Sequence, residues 1–238
     1  MHRKYQRPLA FVLLMAAGWT QAAQAPAGKP SADAQFKKTL ALIDQTAANF
    51  HSTQANFVWE QYQKVVNDTD TQKGTVYFKR NGDQIEMAAD ITDPDKKYVL
   101  FSGDKVRLYQ PKIDQVTQYD TGKHRAEFES FLVLGFGGSS AEMLKSFDVT
   151  YAGEEKIGDA TTAKLDLVPK SEKVKNTFQH IVLWIDPKLG ISIQQQFFEP
   201  SGDYRLAKYS DIQLNGRISD SVFKLKTTGK TKVVSPQG

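Results

Sequence analysis

The sequence predicts an α+β domain built as a curved antiparallel sheet with a separate hydrophobic cover, and three stretches carry that prediction. Tyr98 to Tyr119 reads as three short strands in a meander: Tyr98/Leu100, Val106/Leu108 and Val116 alternate with other residues, as half-buried antiparallel strands do. Ser102-Gly103-Asp104 supplies its first turn, because glycine reaches positive φ freely and Ser and Asp satisfy turn amides; Pro111 interrupts pairing because it has no N–H. Directly after it, Glu127 to Phe136 is dense in Phe and Leu at helical spacing. The third observation is that period-two runs fill most of the remaining chain.

The elements follow in order. Phe36, Leu40, Ile43, Ala47 and Phe50 recur at spacings of four and three, which predicts an amphipathic helix over 33–49 with Lys37, Lys38 and Asp44 toward water. From residue 52 the period becomes two, with Phe57 and Trp59 sharing a face. Asn67 to Gly74 reads as a polar loop, and Thr75 to Arg80 as the next strand. Asn81-Gly82-Asp83 is a hairpin signal leading into Ile85, Met87, Ala89 and Ile91. Gly135-Phe-Gly-Gly138 reads as a joint between two short helical segments, the second opened by a Ser139…Glu142 capping box. Val149 to Tyr151 and Ala163 to Leu167 are strands, Pro169 to Asn176 a polar connection, and 178–185, 191–198 and 204–214 three long strands joined by turns at 186–190 and 200–203. A C-terminal piece contains Val222 to Leu225. The count is roughly eleven strands, mostly in hairpins, with no internal repeat.

The first residues stand outside this pattern. His2 to Arg7 is basic, Leu9 to Gly18 is apolar but too short to span a bilayer, and Ala22 to Ala25 are mostly small, which together specify a secretory signal peptide over 1–23 with an end set to about two residues. Residues 24–32 form a Pro/Ala/Gly linker, and 33–238 a single domain. Without Arg3, Lys4 and Arg7 the 31 basic residues become 28 against 27 acidic ones, so there is no basic footprint for nucleic acid. The chain has no Cys, which excludes disulfides, a thiolate nucleophile and Cys-ligated metals. Export without disulfides suits a soluble periplasmic protein.

No reaction chemistry emerges from the motifs. His2, His51, His124 and His180 are scattered without metal-ligand spacing. Asp68-Thr-Asp70 begins like a calcium loop but lacks its later ligands. Gly135 to Ser140 lacks the ending of a phosphate-binding loop, and neither Ser139 nor Ser140 sits in a nucleophile elbow. What stands out is apolar content on short mid-chain helices, read either as ordinary core filling or as a lid over an apolar pocket.

Several motifs, in order, resemble the LolA family of periplasmic outer-membrane lipoprotein carriers. Phe50-His51 with Asn56-Phe57 and Gln61 resembles the family's "Phe … Phe-x-Gln" strand, with two extra residues. Gly74-Thr-Val-Tyr-Phe-Lys-Arg80 resembles its "Gly-x-hydrophobic … Lys-Arg-Pro" strand, and Ser102 to Pro111 with Gln115-Val116 its "Ser-Asp-Gly-x-x-Leu-Trp-x-Tyr-x-Pro … Gln-Val" segment. Leu167-Val-Pro169 and Val222 to Leu225 also find counterparts. Asn81 stands where the family has Pro, Gln84 to Met87 replaces an aromatic and basic pattern, and Arg107 stands near the family Trp.

The resemblance implies an incomplete, strongly curved antiparallel β-barrel, a half-barrel closed by a lid of short helices around a cavity for acyl chains. On that expectation Phe57, Trp59, Val76, Phe78, Met87, Leu100 and Leu108 line the cavity from the strands. Phe128, Phe131, Leu132, Leu134, Phe136, Met143 and Leu144 line it from the lid, and Arg80 matches the family Arg that helps hold the lid shut. The implied role is a monomeric, non-enzymatic carrier without cofactor. It would take the acyl chains of lipoproteins from an inner-membrane ATP-driven exporter to an outer-membrane acceptor. The alternative is a sensor of the same fold that binds lipid or lipoprotein and regulates envelope stress.

Overall fold

Ser31 opens the first element: its hydroxyl accepts the Ala34 amide at 3.2 Å, and the four-and-three apolar spacing continues as α1 (Ala32–Ala48). The computed structural model describes residues 31–82, 84–122 and 134–236. After α1 the period-two region becomes β1 (Ser52–Gln63), β2 (Asp68–Asn81) and β3 (Gln84–Asp93). The meander becomes β4 (Lys97–Ser102), β5 (Lys105–Gln110) and β6 (Gln115–Asp120), with a 3-10 turn at Pro111–Ile113 where the missing proline N–H ends pairing. Then come α2 (Ser140–Ser146), β7 (Phe147–Ile157), β8 (Ala160–Pro169), the short helix α3 (Glu172–Lys175), β9 (His180–Ile185), β10 (Ser192–Phe198), β11 (Tyr204–Leu214) and β12 (Lys232–Val234).

The twelve strands of the described residues form one sheet, in the order β12-β6-β5-β4-β3-β2-β1-β11-β10-β9-β8-β7. Every neighbouring pair is antiparallel except β12 on β6. β12 and β7 are the two ends and do not pair, so the sheet is not closed. Between β6 and β7, Leu134, Phe136 and Met143 pack on the inner face. The inner face carries two apolar clusters. One centres on Phe57, Val76, Phe78, Met87 and Phe101, and the other on Leu165, Leu167, Ile181 and Leu183 with Ile43 of α1 and Met143 of α2.

Three readings of the chain change. The polar loop expected at 67–74 is strand from Asp68: Thr69 pairs with Tyr62 and Thr71 with Glu60, and the turn shrinks to Lys64–Asn67. That end of the hairpin is polar because it is open to solvent, not because it is unpaired. Helix α3, with Val174 buried, interrupts the expected connection at 169–176. A twelfth strand, only three residues long, lay below what periodicity can detect.

That last strand is fastened by Asp114, which sits in the left-handed region at φ 45°. Its carboxylate accepts the hydroxyls of Thr231 (2.6 Å), Thr228 (2.8 Å) and Tyr109 (3.1 Å), while its carbonyl takes the Lys232 amide (2.9 Å). The Thr231 and Thr228 hydroxyls, and then Tyr109, hold the Asp114 carboxyl below its ordinary value. A depressed folded-state pKa stabilises above the unfolded value, about 3.9, and that stabilisation is lost as pH falls through the folded value. Hydrogen exchange at Lys232 to Val234 is therefore expected to accelerate below about pH 4, beyond the intrinsic pH dependence, while the β1–β2 ladder stays protected. Unchanged protection of β12 at that pH would show that the carboxylate does not hold the strand.

Candidate functional site: the inner face and the turn laid into it

Cross-strand register decides which side chains face inward. Thr53, Ala55, Phe57 and Trp59 of β1 share a face with Val76, Phe78 and Arg80 of β2, and Phe78 stands opposite Met87. Phe57 and Trp59 stack with centroids 4.1 Å apart. On β11, Tyr209 pairs with Phe57 and Ala207 with Trp59, and Ala207 in turn faces Gln195 of β10.

Into this face drops the turn Leu134–Gly137. Phe136 is 1 % exposed, stacks on Phe78 at 5.0 Å and meets Tyr209 edge-on at 4.6 Å. Three backbone carbonyls flanking it accept hydrogen bonds from the sheet or its edge. Gln195 Nε2 donates to Leu134 O (2.6 Å), the Ser192 amide to Gly135 O (2.8 Å), and an Arg80 terminal nitrogen to Gly137 O (3.2 Å). Arg80 Nε also donates to Phe50 O at 3.2 Å, and its guanidinium lies 5.7 Å from the centre of the Phe50 ring. A cation on an apolar face requires such acceptors.

The turn demands glycine where it approaches the sheet. Gly137 has φ 97°, and a Cβ there would lie 2.5 Å from the Phe50 ring; one at Gly135 would lie 2.6 Å from Ser192 Cβ. Beyond the turn, Ser139 and Glu142 form the expected capping box of α2. Asp44 of α1 then accepts both the Ser140 amide and hydroxyl at 2.7 Å, fastening α2 to α1.

The expected cavity residues divide. Phe57, Val76, Phe78, Met87 and Phe136 belong to the first cluster with Trp59 packed against it, and Arg80 reaches the turn from the same face. Leu108 pairs with Val99 and shares its side. Leu134 and Met143 pack in the second cluster under α1, and Leu144 is half-buried. Leu100 is a correction: it pairs with Ala88 and Arg107, one residue out of phase with Phe101, so it faces the outer side. Phe128, Phe131 and Leu132 lie outside the described residues.

Sequence reasoning missed Gln195, Ser192, Tyr209 and Asp44. A signal for Gln195 existed, since it shares its phase with the inward Phe197 and faces Leu183. Tyr209 Oη lies 3.4 Å from Gln195 Oε1, and burial pushes its phenol well above the ordinary value, with the Trp59 indole opposing that to a lesser extent. His180 contacts Asp166 at 2.9 Å on the other side of the sheet, away from this site. Among the described residues, no group of His, Asp and Glu could hold a metal, and no helix is long and apolar enough to cross a membrane.

Comparison with known proteins places this geometry. No curated protein sequence matches the chain. An uncharacterized conserved protein from Thermus thermophilus has a similar structure, with TM-score 0.54 and 11% identity over 84% of this chain and 99% of that one. So does MucB, with TM-score 0.53 and 12% identity over 86% of this chain and 66% of MucB. A LolA superfamily protein, NE2245 from Nitrosomonas europaea, aligns over 79% of this chain and 97% of its own at 16% identity, with TM-score 0.40. For the first two, at 11% and 12% identity, the likeness is one of fold. The model of the outer membrane lipoprotein carrier protein LolA matches residues 48–226, most of the sequence and nearly all of the sheet, and the chain belongs to that family.

Proposed function

We propose that the chain is a periplasmic carrier that shelters the acyl chains of lipoproteins on the inner face of its half-barrel. In this reading it receives them from an inner-membrane ATP-driven exporter and passes them to an outer-membrane acceptor. Membership of the LolA family supports the class. The observation that supports the reading is a turn lodged in an apolar face: Phe136 fills space that a hydrocarbon chain could fill, and polar contacts from Arg80, Gln195 and Ser192 hold it there. At about 0.8 kcal/mol per buried methylene, a sixteen-carbon chain costs roughly 10 kcal/mol to expose to water, so a multiply acylated protein needs such shelter. The hydrogen bonds that hold the turn compete with cargo and keep binding reversible.

The carrier is proposed to act as a monomer, after removal of residues 1–23 or a cut within about two residues of that point. Mass spectrometry of the protein isolated from a periplasmic fraction is the direct test. The expected result is a chain beginning between Ala23 and Pro26 with acylated protein or lipid bound, and delivery of that cargo intact to acceptor-bearing liposomes. A stable complex with a regulatory protein, and no delivery, would instead identify the sensor reading.

A further inference from the structure

Gln195 is a polar side chain in an apolar place. It is 5 % exposed on the inner face, opposite Ala207 and Leu183, with its amide nitrogen on Leu134 O and its amide oxygen 3.4 Å from the Tyr209 hydroxyl. A buried donor costs free energy whenever it lacks an acceptor. Three donors, Gln195 Nε2, the Ser192 amide and the half-buried Arg80 guanidinium, bond to carbonyls of the turn on either side of Phe136. A fourth polar group is already without a partner: Thr53, on the inner face of β1 and opposite Phe78, is fully buried with an unpartnered hydroxyl.

We propose that Leu134–Gly137 is an internal stand-in for an acylated ligand, and that Gln195 reads the carbonyl oxygen of an acyl ester or amide when the turn gives way. The turn presents what such a ligand presents, an apolar body beside carbonyl acceptors. A bare hydrocarbon would displace Phe136 and leave the Gln195 donor unmatched, and an alkyl ether would offer it only a weak acceptor. An acyl carbonyl replaces the lost acceptor. The site therefore selects acyl over alkyl chains, and Gln195 is a specificity-determining residue. This rests on the carrier reading, in which the turn yields its place to lipid.

The test uses the mature protein and two soluble lysophospholipids of equal chain length, one 1-acyl and one 1-O-alkyl, each displacing a polarity-sensitive apolar dye. The acyl compound is expected to bind about tenfold more tightly, the effect of one well-matched buried hydrogen bond. Gln195→Leu is expected to bring the ratio near one, and Gln195→Glu to reduce it. The ratio is taken within each variant, so a partly unfolded preparation does not distort it. A neutral pair of equal chain length, an N-acyl ethanolamide and an alkyl ether of ethylene glycol, separates amide from ester recognition. Equal affinity of the wild type for acyl and alkyl forms in both pairs overturns the proposal while leaving the carrier reading intact. Displacement of the dye by none of the compounds overturns both. A preference that survives in Gln195→Leu removes the role from Gln195.

Discussion

Arg80→Leu is expected to load lipid normally and to deliver it at least about tenfold more slowly to acceptor-bearing liposomes. Arg80 gives one donor to Gly137 O and one to Phe50 O, each at 3.2 Å, and so joins the turn over the inner face to the segment entering β1. Hydrogen bonds from a charged group contribute about 1.5–3 kcal/mol each, so losing the contact to the turn alone shifts the equilibrium between closed-empty and open-loaded states by about tenfold or more. Leucine also adds apolar surface beside Val76 and Phe78, which favours the loaded state again. On the carrier reading proposed above, both changes act in one direction: loading is retained and release suffers, because release would be driven by the turn returning to its place. Arg80→Lys is expected to fall between the two, since a single ammonium does not reproduce the planar fork that spans both carbonyls. The measurement is paired loading and transfer on one preparation. Normal transfer by Arg80→Leu would separate the observed hydrogen bonds from the mechanism.

The strands were legible where one face is buried and the other wet. β7 is the clearest case, with burial alternating along almost its whole length. β4 shows the limit. Tyr98, Val99, Leu100 and Phe101 are apolar on both faces, so alternation within the strand cannot say which pair looks inward, and Leu100 was assigned to the wrong side. Only the register to Met87, set by the neighbouring strand, decides for Phe101. Arg80 was singled out chiefly by the resemblance of its segment to the family strand, with its phase relative to Val76 and Phe78 agreeing. Gln195 was legible only in part: its phase with Phe197 turns it inward, but nothing local names its partner Leu134, which lies 61 residues away. The glycines of the turn read correctly as a joint, but what they approach, Phe50 and Ser192, depends on tertiary placement. Local chemistry thus gave the elements, while the contacts that hold the turn shut are long-range and polar, and period counting is blind to both properties.

Gly74→Ala is expected to be the most destabilising of the small substitutions in the sheet. Gly74 lies where β2 shifts register against β3, between Phe57 on one side and Ile91 on the other. A Cβ placed there would stand 2.1 Å from Asp90 O and 2.9 Å from Ile91 Cα, both backbone atoms of β3. A flexible side chain could swing away from such a contact, but a paired strand cannot. Relief requires β3 to withdraw from β2, which loosens the ladder under Ala89 and Ile91 and opens the first inner-face cluster. Overpacking of this kind costs about 3 kcal/mol or slightly more, and at 2–4 °C per kcal/mol for a domain of this size Tm should fall by about 6–12 °C. Gly216→Ala provides the control: its nearest neighbours are Gln213 side-chain atoms at 3.8 Å, ordinary van der Waals contact, so its Tm should stay within about 2 °C of the wild type. Thermal unfolding of both variants followed by circular dichroism makes the comparison. If Gly74→Ala melts together with Gly216→Ala, β3 yields at that point, and the close crossing of the two backbones does not set the shape of the inner face.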